Sequence, residues 1–224
     1  MNNLHRKLAP ISSGAWEQIE EEATRTLKLY LALRRVVDVI GPQGSKLAAV
    51  GTGHLHTRPS PGSGVVASQH LVNSLVQFRV PFELTREAID SVERGANDPD
   101  LQPLKDAART IAFAEDRAIV EGFESAGIDG IKKSSSNQAV ALPAEVKDYP
   151  SAVELAVARL REAGVNGPYR LLLGEAPYMR LTGAPADTYP VLKDIRNLID
   201  EEIIWAPAIE GGLVVTTRGC DFEL

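Results

Sequence analysis

The apolar residues at the start of the chain follow a helical period. From residue 16 to residue 31 they recur every three or four positions, with charged residues between them, and this spacing places them on one face of an amphipathic helix. Ser12 and Ser13 stand just before the pattern and predict its N-cap, because a serine hydroxyl accepts from a free backbone N–H of the first turn. The β-branched run VVDVI at residues 36–40 then predicts a short strand.

The next two segments have different patterns. Residues 45–73 are rich in Gly, Ser, Thr and Pro, with PSPGSG near the middle, and predict a protruding arm. Residues 76–84 alternate apolar and polar side chains, which is the period of a strand with one apolar face. Pro81 cannot donate to a strand ladder, so we expect it at a sheet edge or at a non-bonded position.

Helical patterns return after residue 84. Thr85 predicts the N-cap of a short helix that ends at Gly95, and the turn NDPD separates it from a long helix over residues 102–126. A narrow stripe of small and apolar residues on the long helix suits close packing against a sheet. The stripe consists of Leu104, Ala108, Ile111, Ala118 and Gly122.

Short helices and strands alternate in the remainder of the chain. The patterns predict a helix over residues 150–163, strands at 139–142, 169–173, 203–206 and 213–217, and two short helices separated by the loop TGAPADT at 182–188. Together with the first half, they predict a mixed α+β architecture with a change of subdomain near residue 130.

Composition excludes several classes of protein. The chain has 224 residues, 44% of them hydrophobic, and a formal net charge of −6, which disfavours a surface that follows nucleic-acid phosphates. The N-terminus has no apolar signal region, and no stretch approaches the roughly 20 apolar residues that span a bilayer. Cys220 is the single cysteine and cannot form an internal disulfide, so we expect a cytoplasmic protein with no nucleic acid or membrane partner.

Three histidines on the predicted arm are candidates for a metal site. His54 and His56 would point the same way on a strand, and His70 could approach them across a hairpin. Their loose spacing favours surface histidines instead. Cys220 has no histidine near it in sequence, and a plain thiol is the favoured interpretation. The residues therefore predict no catalytic site.

Charged residues form two further groups. Glu115, Asp116 and Glu121 lie on the long helix without the Glu-x-x-His spacing of di-iron proteins, and we interpret them as a solvated or salt-bridged face. Arg34, Arg35 and Asp38 follow the apolar face of the first helix. On the residues alone, the favoured interpretation of this second group is an intramolecular ion pair at a helix end.

Six motifs in register resemble one family. They are LHRKLAPISSGAWEQIEEEA, RRVVDVIGPQG, FELTREAIDSVERG, FAEDRAIVEG, GVNGPYRLLL and EIIWAPAIEGGLVVTTRGCDFEL. In this order they resemble the family 1 encapsulins, linocin-like bacterial shell proteins, and most closely the actinobacterial members. The resemblance covers residues 1–224. It implies the tailed-phage major-capsid-like fold and a shell protein, not an enzyme.

The resemblance divides the chain into five parts. It implies an N-terminal helix and first strand at 1–44, an extended arm at 45–73, a peripheral domain with the long helix at 74–129, an axial domain at 130–210, and a return to the peripheral domain at 211–224. Relatives continue beyond residue 224, so we expect an unpaired sheet edge there. The implied assembly is an icosahedral homo-oligomer that encloses a cargo enzyme, such as a dye-decolourising peroxidase or a ferritin-like protein.

The resemblance also implies two sites. A groove for the cargo's C-terminal targeting peptide would use Leu27, Leu31, Arg34, Asp38 and Ile89. A pore loop would consist of Thr182, Gly183, Ala184, Pro185, Ala186, Asp187 and Thr188. Glu87 stands where an aromatic residue stacks a flavin in some members, so we expect no cofactor. The alternatives are a phage-type capsid protein, or a metal-dependent hydrolase that uses the arm histidines.

Overall fold

The computed structural model of the chain describes residues 5–183, 189–219 and 221–224. Its helices are α1 (Ser13–Tyr30), α2 (Arg86–Glu93), α3 (Gln102–Glu121), α4 (Ile131–Ser134), α5 (Tyr149–Glu162), α6 (Glu175–Thr182) and α7 (Tyr189–Leu198). Its strands are β1 (Ala49–Arg58), β2 (Ala67–Ser74), β3 (Gly122–Phe123), β4 (Ile128–Asp129), β5 (Tyr169–Leu173), β6 (Ile204–Trp205) and β7 (Gly212–Thr216). The mixed α+β prediction is confirmed. None of the helices in these ranges is long and apolar enough to cross a membrane.

A three-stranded sheet organises the second half of the chain. β5 lies in the middle, parallel to β6 and antiparallel to β7. Because successive side chains of a strand point to opposite faces, β5 contributes to two cores. Leu172 packs into a core with the corner after α1 and the end of α3, whereas Leu171 and Leu173 pack against α5, α6 and α7.

The first helix begins where the sequence predicts. The Ser12 side chain accepts a hydrogen bond from the backbone N–H of Ala15 at 3.1 Å, and Thr85 caps α2 in the same way through Ala88. α1 lies along α3, and a small core between them contains Ile19, Leu101 and Leu104. The first part of α3 therefore packs against α1, whereas the sequence pattern predicted that this helix packs against a sheet.

α3 ends five residues before the predicted residue 126. Gly122 follows the helix at a φ of 88°, a conformation that L side chains rarely adopt. A Cβ at this position would lie 2.8 Å from the backbone of both Gly130 and Ile128. The glycine thus lets the chain turn so that β3 can pair with β4. The residues after Gly122, which the sequence pattern assigned to the helix, belong instead to this β3–β4 turn.

The predicted arm is an antiparallel hairpin. β1 and β2 pair from Ala49 opposite Ser74 to Arg58 opposite Ala67, with one irregularity between Gly51 and Leu55. Almost every side chain of the hairpin is exposed. Its apolar residues include Leu55 and Val66, which are 58% and 84% exposed. Pairing between two strands thus orders the arm, and the hairpin has no core.

Two predicted strands are wrong, and a third is shorter than predicted. Residues 76–84 and 139–142 pair with no other strand in the described part of the chain. The strand predicted at 36–40 exists only in its second half, where Asp38 and Ile40 pair in parallel with residues 222–224 through three backbone hydrogen bonds around the Asp38–Glu223 bridge. Val36 is buried in the core that contains Leu172, and Val37 packs against it, so the first half of the run is apolar because it packs there. A strand needs a partner as well as a side-chain pattern, and the local sequence contains only the pattern.

Candidate functional site

The corner after α1 is held by a buried carboxylate on α3. Asp116 is fully buried, and its two side-chain oxygens accept hydrogen bonds from the backbone N–H groups of Ala32, at 3.0 Å, and Leu33, at 3.2 Å. Burial raises the pKa of Asp116 to about 6, although the two hydrogen bonds act in the opposite direction. The expectation of a solvated acidic face is therefore wrong for Asp116. Asp116 lies one helical turn after Ala112, which is buried, and this spacing indicates that Asp116 is on the same buried side of α3.

Arg34 lies beside this corner and pairs with α3. Its guanidinium donates two hydrogen bonds to the carboxylate of Glu115, at 2.6 and 2.8 Å, and this bidentate contact raises the pKa of Arg34. Arg34 therefore forms an ion pair, as expected at a helix end, and the partner is Glu115 on α3. The Arg34 side chain remains 44% exposed, so it can also contact another molecule.

Asp38 lies farther along, where the chain meets its C-terminal segment. Its backbone N–H donates to the carbonyl of Phe222 at 2.7 Å, and its carbonyl accepts from the N–H of Leu224 at 2.8 Å. The residue is exposed. These contacts hold the backbone of Asp38 against the C-terminal segment.

The apolar residues proposed for the cargo groove lie on two neighbouring helices. Leu27 and Leu31 are four residues apart at the end of α1 and share one face, and both are half-buried. Ile89 is half-buried on α2, which packs against α1. Partly exposed apolar area is thus present both at the end of α1 and on α2.

A cleft of about 500 Å³ lies between α1 and α3, and the sequence did not reveal it. Its walls come from the second half of α1 and the first half of α3. The lining residues are Glu22, Arg25, Thr26, Lys28, Leu29, Tyr30, Gln102, Lys105, Asp106 and Arg109. It adjoins the proposed groove, because Lys28 and Leu31 are three residues apart and lie next to each other on a helix.

Three of the four basic residues of this cleft make contacts of two kinds. Glu22 accepts two hydrogen bonds from Arg25, at 2.6 and 2.8 Å, and lies 3.8 Å from the ammonium of Lys105. Burial raises the pKa of Glu22, but the Arg25 hydrogen bond and the Lys105 charge outweigh it and lower the pKa overall. Arg109 instead stacks on aromatic rings, 5.5 Å from the centre of Tyr30 and 5.0 Å from that of Phe113.

The arm histidines do not form a metal site. His70 lies opposite Leu55, while His56 lies opposite Gln69, and all three histidines are exposed. Within residues 5–183, 189–219 and 221–224, no group of three His, Cys, Asp or Glu side chains could hold a metal ion. The structure therefore provides no site for the metal-dependent hydrolase alternative.

The proposed pore loop is described only at its first two residues. Thr182 is exposed at the end of α6, and its hydroxyl donates to the carbonyl of Tyr178 at 2.9 Å. Gly183 follows, and its N–H donates to the carbonyl of Met179. Residues 184–188 lie outside the described residues, as does Cys220.

Comparison with known proteins gives strong matches over the whole chain. A family model described as "Encapsulating protein for peroxidase" matches residues 1–224. A type 1 encapsulin shell protein of Rhodococcus erythropolis is 51% identical over 224 residues, which are 100% of this chain and 85% of that protein. The type 1 encapsulin shell protein of Mycobacterium tuberculosis is 48% identical and is covered to 84%.

Among solved structures, the virus-like particle of Pyrococcus furiosus aligns with a TM-score of 0.49 and 14% identity, over 90% of this chain and 79% of that one.

Proposed function

The chain belongs to the encapsulin family, the type 1 shell proteins, and from this premise we propose how its parts build a shell and load it. The protein is a structural shell protein and not an enzyme, and its copies form a nanocompartment. The proposal is that the shell is a closed icosahedral particle in the cytoplasm, and that it encloses a cargo enzyme through that enzyme's C-terminal peptide.

The observation that carries the assembly proposal is the exposed hairpin of β1 and β2. Its apolar side chains, such as Leu55 at 58% and Val66 at 84% exposure, contact little of their own chain. Exposed apolar surface of this kind marks interaction sites in soluble proteins. In a shell of identical copies, the hairpin would bury these side chains on neighbouring subunits, so that residues 45–73 act as an interlocking arm.

The remaining parts take the roles that the family resemblance implies. Residues 1–44 supply the first helix and the corner that follows it, 74–129 the peripheral domain, 130–210 the axial domain, and 211–224 the return to the peripheral domain. The division near residue 130 is supported by the separate core around α5, α6 and α7. The loop from Thr182 to Thr188 would line a pore, and its small side chains suit small solutes.

The cargo proposed for this shell is a dye-decolourising peroxidase, with a ferritin-like protein as the second candidate. The description of the matching family, an encapsulating protein for peroxidase, supports the first choice. Leu27, Leu31 and Ile89 would hold apolar residues of the targeting peptide. Arg34 and Asp38 would orient it, since apolar burial supplies affinity without direction and charged groups supply register.

Particle formation is the first test. We expect purified protein to give uniform hollow particles by light scattering and negative-stain microscopy. Monomers or small oligomers at every concentration would contradict the assembly proposal. Co-expression with a dye-decolourising peroxidase that keeps its own C-terminal tail should then give particles that contain the peroxidase, while removal of the tail should leave the particles empty.

The groove has its own test. Leu31→Asp places an unpaired charge among apolar contacts, so we expect it to abolish cargo loading while particles still form. Leu155→Asp is a matched control, because Leu155 is 45% exposed on α5, away from the groove. Arg34→Ala should reduce loading without abolishing it. If Leu31→Asp particles load as much cargo as the wild type, the face of α1 is structural only.

A further inference from the structure

The cleft between α1 and α3 is locally basic on an acidic protein. Its lining contains four cationic side chains, those of Arg25, Lys28, Lys105 and Arg109, and only two acidic ones. The chain as a whole carries a formal net charge of −6. Since an excess of positive charge in a concave site attracts anions, this cleft is suited to a negatively charged group.

Only two of the four cations are engaged with a carboxylate. Arg25 and Lys105 share Glu22, whereas Lys28 and Arg109 form no ion pair within the described parts of the chain. Arg109 rests on the faces of Tyr30 and Phe113. Such stacking orients a guanidinium but uses none of its N–H donors, so its planar edge is left for a carboxylate.

The rest of the cleft suits a peptide end. Leu29 is 57% exposed and Tyr30 half-buried, and together they form an apolar wall beside the two cations. Lys28 lies next to Leu31 on the helix surface, which connects the cleft to the proposed groove. A peptide that docks through its own C-terminus always carries a terminal carboxylate, which is an anion at neutral pH.

We propose that this cleft binds the terminal carboxylate of the cargo's C-terminal peptide, with Lys28 and Arg109 as the cations and Leu29 and Tyr30 as the apolar wall. The inference rests on the proposed function. It gives the bound peptide a direction: its last residue lies in the α1–α3 cleft, and the preceding residues lie over Leu31. A peptide followed by further residues would lose the contact.

A competition experiment tests the proposal. Two monomeric fluorescent proteins of different colour are co-expressed with the shell at equal and limiting levels. Both carry the C-terminal peptide of the dye-decolourising peroxidase, but in one a neutral Gly-Ser extension follows the peptide and moves the carboxylate away. Wild-type particles should contain about five times more of the protein that ends at the peptide, as expected for loss of a partly exposed ion pair.

The variants locate the effect. In Lys28→Gln/Arg109→Gln particles the ratio of the two reporters should fall to about one, because the two cations that remain in the cleft, Arg25 and Lys105, are engaged with Glu22. Lys147→Gln/Lys193→Gln removes the same charge at exposed positions outside the cleft and should keep the wild-type ratio.

The outcomes separate the two proposals. A ratio of one in wild-type particles, or an unchanged ratio in the Lys28→Gln/Arg109→Gln variant, overturns the carboxylate site while cargo loading itself stands. Wild-type particles that load neither reporter overturn the proposed docking mode. If the double variant fails to form particles, the reporter ratio in Lys28→Gln particles is compared with the wild-type ratio. A lower ratio in Lys28→Gln supports the carboxylate site, and an equal ratio overturns it.

Discussion

The β1–β2 hairpin and the junction of α1, α3 and β5 use the same kinds of apolar residue in opposite ways. In the junction, Leu33 and Leu172 are completely buried, and Asp116 satisfies the backbone N–H groups at the corner. In the hairpin, Leu55 and Val66 are largely exposed. Burial of apolar surface stabilises by about 25 cal/mol per Å², and the hairpin gains almost none of it within its own chain.

This difference separates folding from assembly. The junction contains its own stabilising contacts, so a single chain can form it. The apolar side chains of the hairpin can be buried only against another molecule, and in the assembly proposed above that molecule is another copy. Changes in the hairpin should therefore affect assembly, and changes in the junction should affect the stability of the subunit.

Deletion of residues 57–68 should have the largest effect. We expect the chain to fold with a nearly unchanged melting temperature but to form less than about a tenth of the normal particles, because the partners of the deleted residues lie on other chains. Light scattering and thermal unfolding measure the two quantities. Intact particles of normal thermal stability would contradict the interlocking role of the arm.

Leu172→Ala should be the most destabilising change in the junction. A buried leucine truncated to alanine costs about 2–5 kcal/mol of unfolding free energy, whereas Leu55→Ala on the hairpin, where the side chain is 58% exposed, should change it by less than about 0.5 kcal/mol. Urea unfolding in the background of the arm deletion compares the two without interference from assembly. Equal losses at the two positions would remove the contrast between the regions.

Asp116 should make the junction more stable in mild acid. Its pKa in the folded chain is about 6, above the ordinary 3.8, so the folded chain binds the proton first. The resulting stabilisation is fully present below the ordinary pKa and is lost as pH rises through about 6.

The measurement for Asp116 is the free energy of unfolding against pH. Between pH 7 and pH 5 the carboxyl should contribute about 1 kcal/mol of added stability. Asp116→Asn cannot titrate and should lack this contribution. Glu115 and Arg34 also face the site, so Glu115→Gln is the control that must keep most of the slope. Parallel pH profiles for wild type and Asp116→Asn would refute a raised pKa.

The Arg34–Glu115 pair should have the smallest effect on stability. Arg34 is 44% exposed, and pairs of this kind contribute about 0–1 kcal/mol. We therefore expect Arg34→Gln and Glu115→Gln to lower the free energy of unfolding by less than about 1 kcal/mol. A double-mutant cycle by urea unfolding measures their coupling. A coupling well above that value would make the pair a structural part of the junction.

Much of the fold was predictable from local sequence. β5 was predicted at residues 169–173, where the structure has it, and α5 within one residue at each end. The caps at Ser12 and Thr85 are also confirmed. The caps depend on neighbouring residues alone, and β5 formed as predicted because β6 and β7 pair with it. The strands predicted at 76–84 and 139–142 depended on distant partners, and the described chain provides none.

The family could be recognised from the sequence, whereas the chemistry of the site depended on the tertiary structure. By itself the sequence determined the helical and strand periods, the absence of a catalytic pattern and, through six motifs in order, the kinship with shell proteins that the comparisons confirm. It also drew attention to Arg34. Only the tertiary structure decided that Glu115 is the partner of Arg34, that Asp116 is buried, and that α1 and α3 enclose a basic cleft. The physical reason is distance along the chain: Asp116 meets Ala32 across 84 residues, and the environment of a charge depends on what surrounds it in space.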